Sequence, residues 1–143
     1  MSFYHLENSR SEEQTAEMRR LDAAGVCLFC PGHLEANQEV LHRAAHWAVT
    51  PNRFPYPNAA RHLLLVPDAH VTGMTQLAPA ARLGFFTALE WVEAQFGLVH
   101  YGVGVRNGDS PLTGSTIRHL HVHVIVGDLG GEPVRFRMSR PPR

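Results

Sequence analysis

Residues 119 to 125 read HLHVHVI, three histidines alternating with apolar residues. On an extended chain side chains alternate between faces, so His119, His121 and His123 share one face about 6–7 Å apart. Leu120, Val122 and Val124 then face a core. Packing alone does not account for such a row, because every buried imidazole needs hydrogen-bond partners. Imidazoles in register can bind a metal, or they can present a nucleophile held in one tautomer by its neighbours. Imidazole attacks phosphorus well. The preceding GSTIR supplies small residues whose backbone N–H groups, with the hydroxyls of Ser115 and Thr116, could meet a phosphate.

A second constellation is Cys27-x-x-Cys30, the only two cysteines of the chain. Two cysteines make no disulfide framework, and the spacing is that of a zinc site that needs two more ligands. Free buried thiols and a redox pair are the competing readings. No thioredoxin-like βαβ pattern surrounds the pair.

Elements must position these groups. Residues 11–24 read as a helix, with Ser11 as cap, Gln14 three residues on and Gly25 as its stop. PGHLEANQ reads as loop. EVLHRAAHWAVTP reads as two short strands or a bent pair, and RHLLLVP as a short strand ended by Pro67. Pro79 to Phe96 is the clearest helix, with Phe85, Leu89, Val92 and Phe96 in one apolar stripe. HYGVGVRNG and TIRHLHVHVIVG read as strands. PVRFRMS alternates apolar and basic residues and reads as an exposed edge strand. The Arg-rich tail RFRMSRPPR reads as a solvated end. His5, His33, His42, His46 and His100 read as surface or satisfied residues. Closely spaced strands without regularly alternating helices predict an antiparallel α+β domain.

The 143 residues suit one domain, 1–143, and 44% hydrophobic content predicts a globular chain. A formal net charge of zero argues against a general nucleic-acid binder. All 13 basic residues are Arg, which reads as coding bias before function, although Arg suits planar phosphate contacts. No apolar run is long enough to span a membrane, and the N-terminus lacks the blocks of a secretory signal, so the expected location is the cytoplasm.

GSTIRHLHVHVIV resembles the signature of the histidine triad (HIT) superfamily, His-φ-His-φ-His-φ-φ with φ apolar. PNRFPYPNAARHLLLVPDAHV and VGVRNG resemble earlier segments of that family, in order, so the likeness spans about residues 27 to 126. The resemblance implies the HIT fold, an antiparallel sheet of about five strands with two main helices. It implies a nucleotide hydrolase or transferase in which His121 attacks an α-phosphorus and forms a nucleotidyl-histidine. His123 would orient His121, His62 would join the same hydrogen-bonded set, and His119 would set the position of His121, two residues on. Asn52 would touch the ribose, while Asn107, Ser115 and Thr116 would hold the α-phosphate. In the branch that carries C-x-x-C, the remaining zinc ligands correspond to His70 and His119, so a structural zinc is implied at Cys27, Cys30, His70 and His119. The chemistry itself requires no metal. A homodimer and a nucleotide substrate are implied as partners, with no nucleic acid and no membrane.

The sequence departs from the best-known dinucleoside-polyphosphate hydrolases at three places. Ser115 stands where they have an amide side chain, Arg61 stands for the Gly before the strand His, and the loop from Asn107 to Gly114 is one residue longer. The function expected is release of a nucleoside monophosphate from a dinucleoside polyphosphate or a nucleoside phosphoramidate. A nucleotidyltransferase or phosphorylase with the same intermediate, and a zinc-stabilised nucleotide-binding module with little catalysis, are the alternatives. A HIT enzyme acting on nucleic-acid ends is disfavoured, since the chain carries no basic extension.

Overall fold

A computed structural model describes residues 2–108 and 111–139. Five strands form one antiparallel sheet in the order β1-β2-β3-β5-β4. They are β1 His42–Ala44, β2 Trp47–Pro51, β3 Ala59–Pro67, β4 Gly102–Val105 and β5 Val122–Gly127. Two main helices, α1 Glu12–Ala23 and α3 Pro79–Phe96, accompany it, with a short α2 at His33–Asn37. This is the antiparallel α+β architecture expected; α2 forms where a loop was expected.

The hydrophobic pattern explains the layers. β3 sends Leu63 and Leu65 to one face and Leu64 and Val66 to the other, as a period of two requires. On one face they meet Trp47, Val49, Val122, Val124 and α3. On the other lie α1, through Met18 and Leu21, and the Cys27–Phe29 segment. His62 and His123 emerge on this second face, since His123 is paired with Leu64 across β3 and β5.

Local chemistry fixes the ends. Ser11 caps α1 by accepting from Gln14 N at 3.1 Å. Gly25, at φ 69°, follows it. Pro79 opens α3 and Gly97, at φ 62°, closes it in the left-handed conformation. The apolar stripe of α3 runs along smaller residues than expected. Ala81, Gly84, Ala88 and Val92 are buried, whereas Phe85, Leu89 and Phe96 flank them half-buried.

Strands β1 and β2 join through Ala45 and His46, both left-handed at φ 53° and 73°. That conformation costs a non-glycine residue roughly 1–2 kcal/mol. It persists because the His46 carbonyl accepts from Asp68 N at 2.9 Å and because α3 packs onto the Ala45 carbonyl.

Two strand expectations need correction. The triad strand starts at Val122, not near Thr116. Residues 116–118 instead pair with the N-terminal segment, His5 N to Thr116 O at 2.9 Å and Arg118 N to Phe3 O at 2.7 Å. PVRFRMS is not a strand either. It is an irregular strap whose Phe136 packs against Gly104 and the His123 ring. The part of the tail through Arg137 is therefore docked by this ring and its own backbone rather than being a free solvated end.

Candidate active site and metal centre

His121 is held by backbone. Its Nδ1 lies 2.8 Å from the carbonyl oxygen of His119. A carbonyl only accepts, so Nδ1 carries the proton and Nε2 keeps a lone pair. Among the described residues no hydrogen-bond partner meets that Nε2, and His121 lines a cavity with His123, Asn52, Tyr56 and Thr116. Burial pushes the imidazole down to about 4; the His119 carbonyl opposes this and Arg106 adds to it. His121 is thus neutral near pH 7, and its Nε2 has no hydrogen-bond partner among the described residues.

His62 and His123 form a second unit. The backbone N–H of Tyr56 donates to His62 Nδ1 at 3.1 Å, so His62 carries its proton on Nε2. That Nε2 lies 2.8 Å from His123 Nδ1 and donates to it. His123 must then carry its proton on Nε2, close to Arg106 Nη1 at 3.5 Å and to the cavity. Burial, with the positive neighbours Arg10 and Arg106, holds His62 down at about 4 and His123 well below the usual histidine range. His123 meets His121 ring to ring, with centroids 5.1 Å apart, while the hydrogen bond that fixes the His121 tautomer is made to the His119 carbonyl.

The other expected ligand contacts divide. Asn52 and Thr116 line the cavity. The Asn52 side chain accepts from Phe54 N at 2.9 Å and sits beside His62. Asn107 does not line it. Its Oδ1 accepts from Met74 N and so caps the turn at Met74–Gln76. Ser115 is buried, with its hydroxyl directed to the Ile117 carbonyl at 3.1 Å, and borders a small hollow beside His119 and His121.

The metal-type residues converge. One ligand atom from each of Cys27, Cys30, His70 and His119 lies within 4.8 Å of all the others. His119 donates from Nε2 to the Pro67 carbonyl at 2.8 Å, which leaves Nδ1 bare. That Nδ1 is 3.6 and 3.7 Å from the two sulfurs and 3.2 Å from His70 Nδ1. His70 Nδ1 is 3.5 and 3.3 Å from the same sulfurs. Zinc–sulfur and zinc–nitrogen lengths around a tetrahedral ion require S···N near ~3.6 Å and N···N near ~3.3 Å. The four atoms therefore fit a closed zinc site, and the cluster is able to hold a metal.

Sequence reasoning missed four residues at the triad. Tyr56, Arg10, Arg106 and Phe136 surround His123 and His62. Arg106 donates to Tyr56 Oη at 2.7 Å, Arg10 covers the Tyr56 ring at 4.3 Å, and Phe136 meets His123 edge-on at 5.3 Å. Tyr56 and Arg106 lie within the quoted segments PNRFPYPN and VGVRNG, but nothing in those segments singles them out; only the fold brings the four together.

The family model for the HIT domain matches residues 33–130. The chain belongs to the HIT family. Solved HIT proteins share its fold. One is a HIT family hydrolase from Clostridium thermocellum, 18% identical over 76% of this chain and 96% of its own, with a TM-score of 0.59. Another is a zinc-bound histidine triad family protein from Mycobacterium smegmatis, 18% identical over 82% of this chain and 84% of its own, TM-score 0.55. A histidine triad protein from Clostridium difficile is 16% identical over 75% and 93%, TM-score 0.56. No curated protein matches the chain. At these identities the likeness is one of fold. The HIT model begins beyond the Cys27-x-x-Cys30 turn and α1, so both lie outside the matched segment.

Proposed function

We propose that this HIT protein is a nucleotide hydrolase acting at an α-phosphate through a nucleotidyl-histidine intermediate on His121. The observation that supports it most is the Nδ1 bond from His121 to the His119 carbonyl, 2.8 Å, which leaves a neutral Nε2 bare in the cavity. The Nε2 lone pair attacks phosphorus, the bond from phosphorus to the leaving group breaks, and its electron pair departs on that group. Water then attacks the same phosphorus and releases a proton to solvent, the P–N bond breaks and returns its electrons to Nε2, and a nucleoside monophosphate leaves.

The remaining roles follow from position. His119 acts through its carbonyl. His62 fixes the tautomer of His123, whose Nε2–H is a donor for a phosphoryl oxygen. Asn52 and Thr116 face the ribose and phosphate from the cavity wall. Asn107 and Ser115, engaged elsewhere, act on the loop rather than on the substrate. Cys27, Cys30, His70 and His119 would hold zinc, which supplies a structural clamp.

One alternative has specific support, and a second shares the intermediate. The diversion of the Asn107 and Ser115 side chains favours a binding module with little turnover, since fewer donors remain for the phosphate. A phosphorylase or transferase would share the intermediate and use another acceptor. The leading reading includes a homodimer, to which the exposed Leu83, Phe86 and edge-strand Val103 would contribute apolar surface.

A phosphorus NMR time course with diadenosine tetraphosphate and an adenosine phosphoramidate decides among these. We expect AMP from the native protein, and a fall on the order of 10³-fold or more in His121→Ala. Equal turnover in that variant rules out the nucleophile. Nucleotide binding without AMP selects the binding module, and a nucleoside diphosphate formed only with added phosphate selects the phosphorylase.

A further inference from the structure

We propose that a second cleft next to the triad holds an extended polyphosphate leaving group, so that the preferred substrate is a nucleotide with further phosphates beyond the α position rather than an amine conjugate. This rests on His121 being the nucleophile. The triad cavity and the adjoining cleft share Arg10, Arg53, Phe54, Tyr56, Arg106 and Arg137 as walls. The second cleft continues along Arg135, Pro133 and Glu132.

Three of the four arginines common to both clefts have no carboxylate partner among the described residues. The Arg10 guanidinium donates to the Phe54 carbonyl and lies over Tyr56 at 4.3 Å. Arg106 donates to Tyr56 Oη and to the Arg137 carbonyl. The Arg137 guanidinium takes no part in docking the strap, which is held by its carbonyl and by Phe136. Arg53, by contrast, is paired with Glu17. The acids lining the second cleft are Glu13 and Glu132, and neither bonds to the three. A chain of zero formal net charge thus gathers three unpaired guanidiniums beside one nucleophile. Crowding of like charges is visible in Arg10, which burial, then Arg106 and Arg137, lower from its ordinary value.

Chemistry favours an anionic occupant. Planar guanidiniums match phosphate oxygens in pairs. When the P–O bond beyond the α-phosphorus breaks, its electron pair stays on the departing phosphate oxygen, and nearby cations stabilise that charge without a proton. An amine leaving group needs a proton instead, which no arginine supplies.

The test substitutes Arg137→Gln, which removes the guanidinium and keeps the docking carbonyl. The kcat/KM for diadenosine tetraphosphate should fall at least tenfold, and that for an adenosine phosphoramidate should stay within twofold. Calorimetry should show the native protein binding adenosine tetraphosphate at least tenfold more tightly than AMP, with most of that margin lost in the variant and in 0.5 M salt. An equal loss for both substrates, or no loss, overturns the proposal. So does equal native affinity for AMP and adenosine tetraphosphate. A native protein that turns over neither compound counts against the nucleophile alone, because the binding comparison still decides what the cleft holds.

Discussion

His119 serves three partners with one residue: Nε2 donates to Pro67, Nδ1 faces the two sulfurs and His70, and its carbonyl sets the His121 tautomer. Its replacement would therefore disturb the Cys–His cluster and the setting of His121 together. His62 is simpler to isolate. It is buried, and its folded value of about 4 lies below the ordinary 6.5. Between those values the unfolded chain binds more protons than the folded one, so stability rises with pH through that window and is flat above it. The full effect is about 3 kcal/mol. Arg10, Arg106, His121, His123 and Tyr56 all face this ring, so the native slope is shared. His62→Gln removes the His62 part. Urea unfolding at pH 7.5 and pH 4.5 should show a smaller stability loss in the variant, and an identical loss would show that His62 does not resist protonation. At this scale the histidines and cysteines were legible, because their types and spacing carry the chemistry. The Tyr56–Arg106–Arg10 group was not, because those residues are 46 and 50 positions apart and meet only across the folded sheet.

Helix α3 shows what periodicity reveals and what it hides. Its limits, Pro79 and Phe96, follow from the caps and the apolar repeat. The large residues suggested the contact stripe, yet the closest approach is at Gly84. A Cβ there would stand 1.9 Å from the Ala45 carbonyl oxygen. The helix can sit against the β1–β2 turn only because nothing projects at 84, and backbone cannot step aside as a flexible side chain would. Gly84→Ala should cost about 2–3 kcal/mol by overpacking, against a slight gain in helix propensity. Thermal unfolding should show a drop of roughly 5–10 °C, and an unchanged midpoint would mean that α3 does not lie this close. Strand β5 was read too long because alternation continues through His119 and His121, while the partner strand β3 ends at Pro67. The chain bends at Arg118 and His119, and this stretch bonds to the N-terminal segment and to Val71 instead of a sheet neighbour. The C-terminal strap has strand-like alternation for another reason: Phe136 faces Gly104 and His123, and the arginines around it face the cleft.

Over the whole molecule, the metal cluster joins segments that the sheet alone leaves loosely connected. Cys27 and His70 are 43 residues apart, and His70 and His119 are 49 apart. The Cys27–Cys30 turn follows α1 and packs, through Leu28 and Phe29, on the face that carries the triad. Closing loops of this length stabilises a fold by roughly 4 kcal/mol in the chain-entropy account of cross-links. Ligand deprotonation adds a cost, since burial and the neighbouring Cys30 push the metal-free Cys27 thiol up to about 12. Protein prepared with zinc should contain one equivalent by elemental analysis. Chelation should lower the midpoint of thermal unfolding by about 10 °C or more, and re-addition of zinc should restore it. Cys27→Ser should lose both the metal and the response to chelator. A chelator-insensitive midpoint, with no zinc in the native protein, would reduce the four residues to a packed thiol and imidazole cluster. His121 would then depend on Phe29, Pro67 and the backbone of residues 117–120 alone to keep the His119 carbonyl in place.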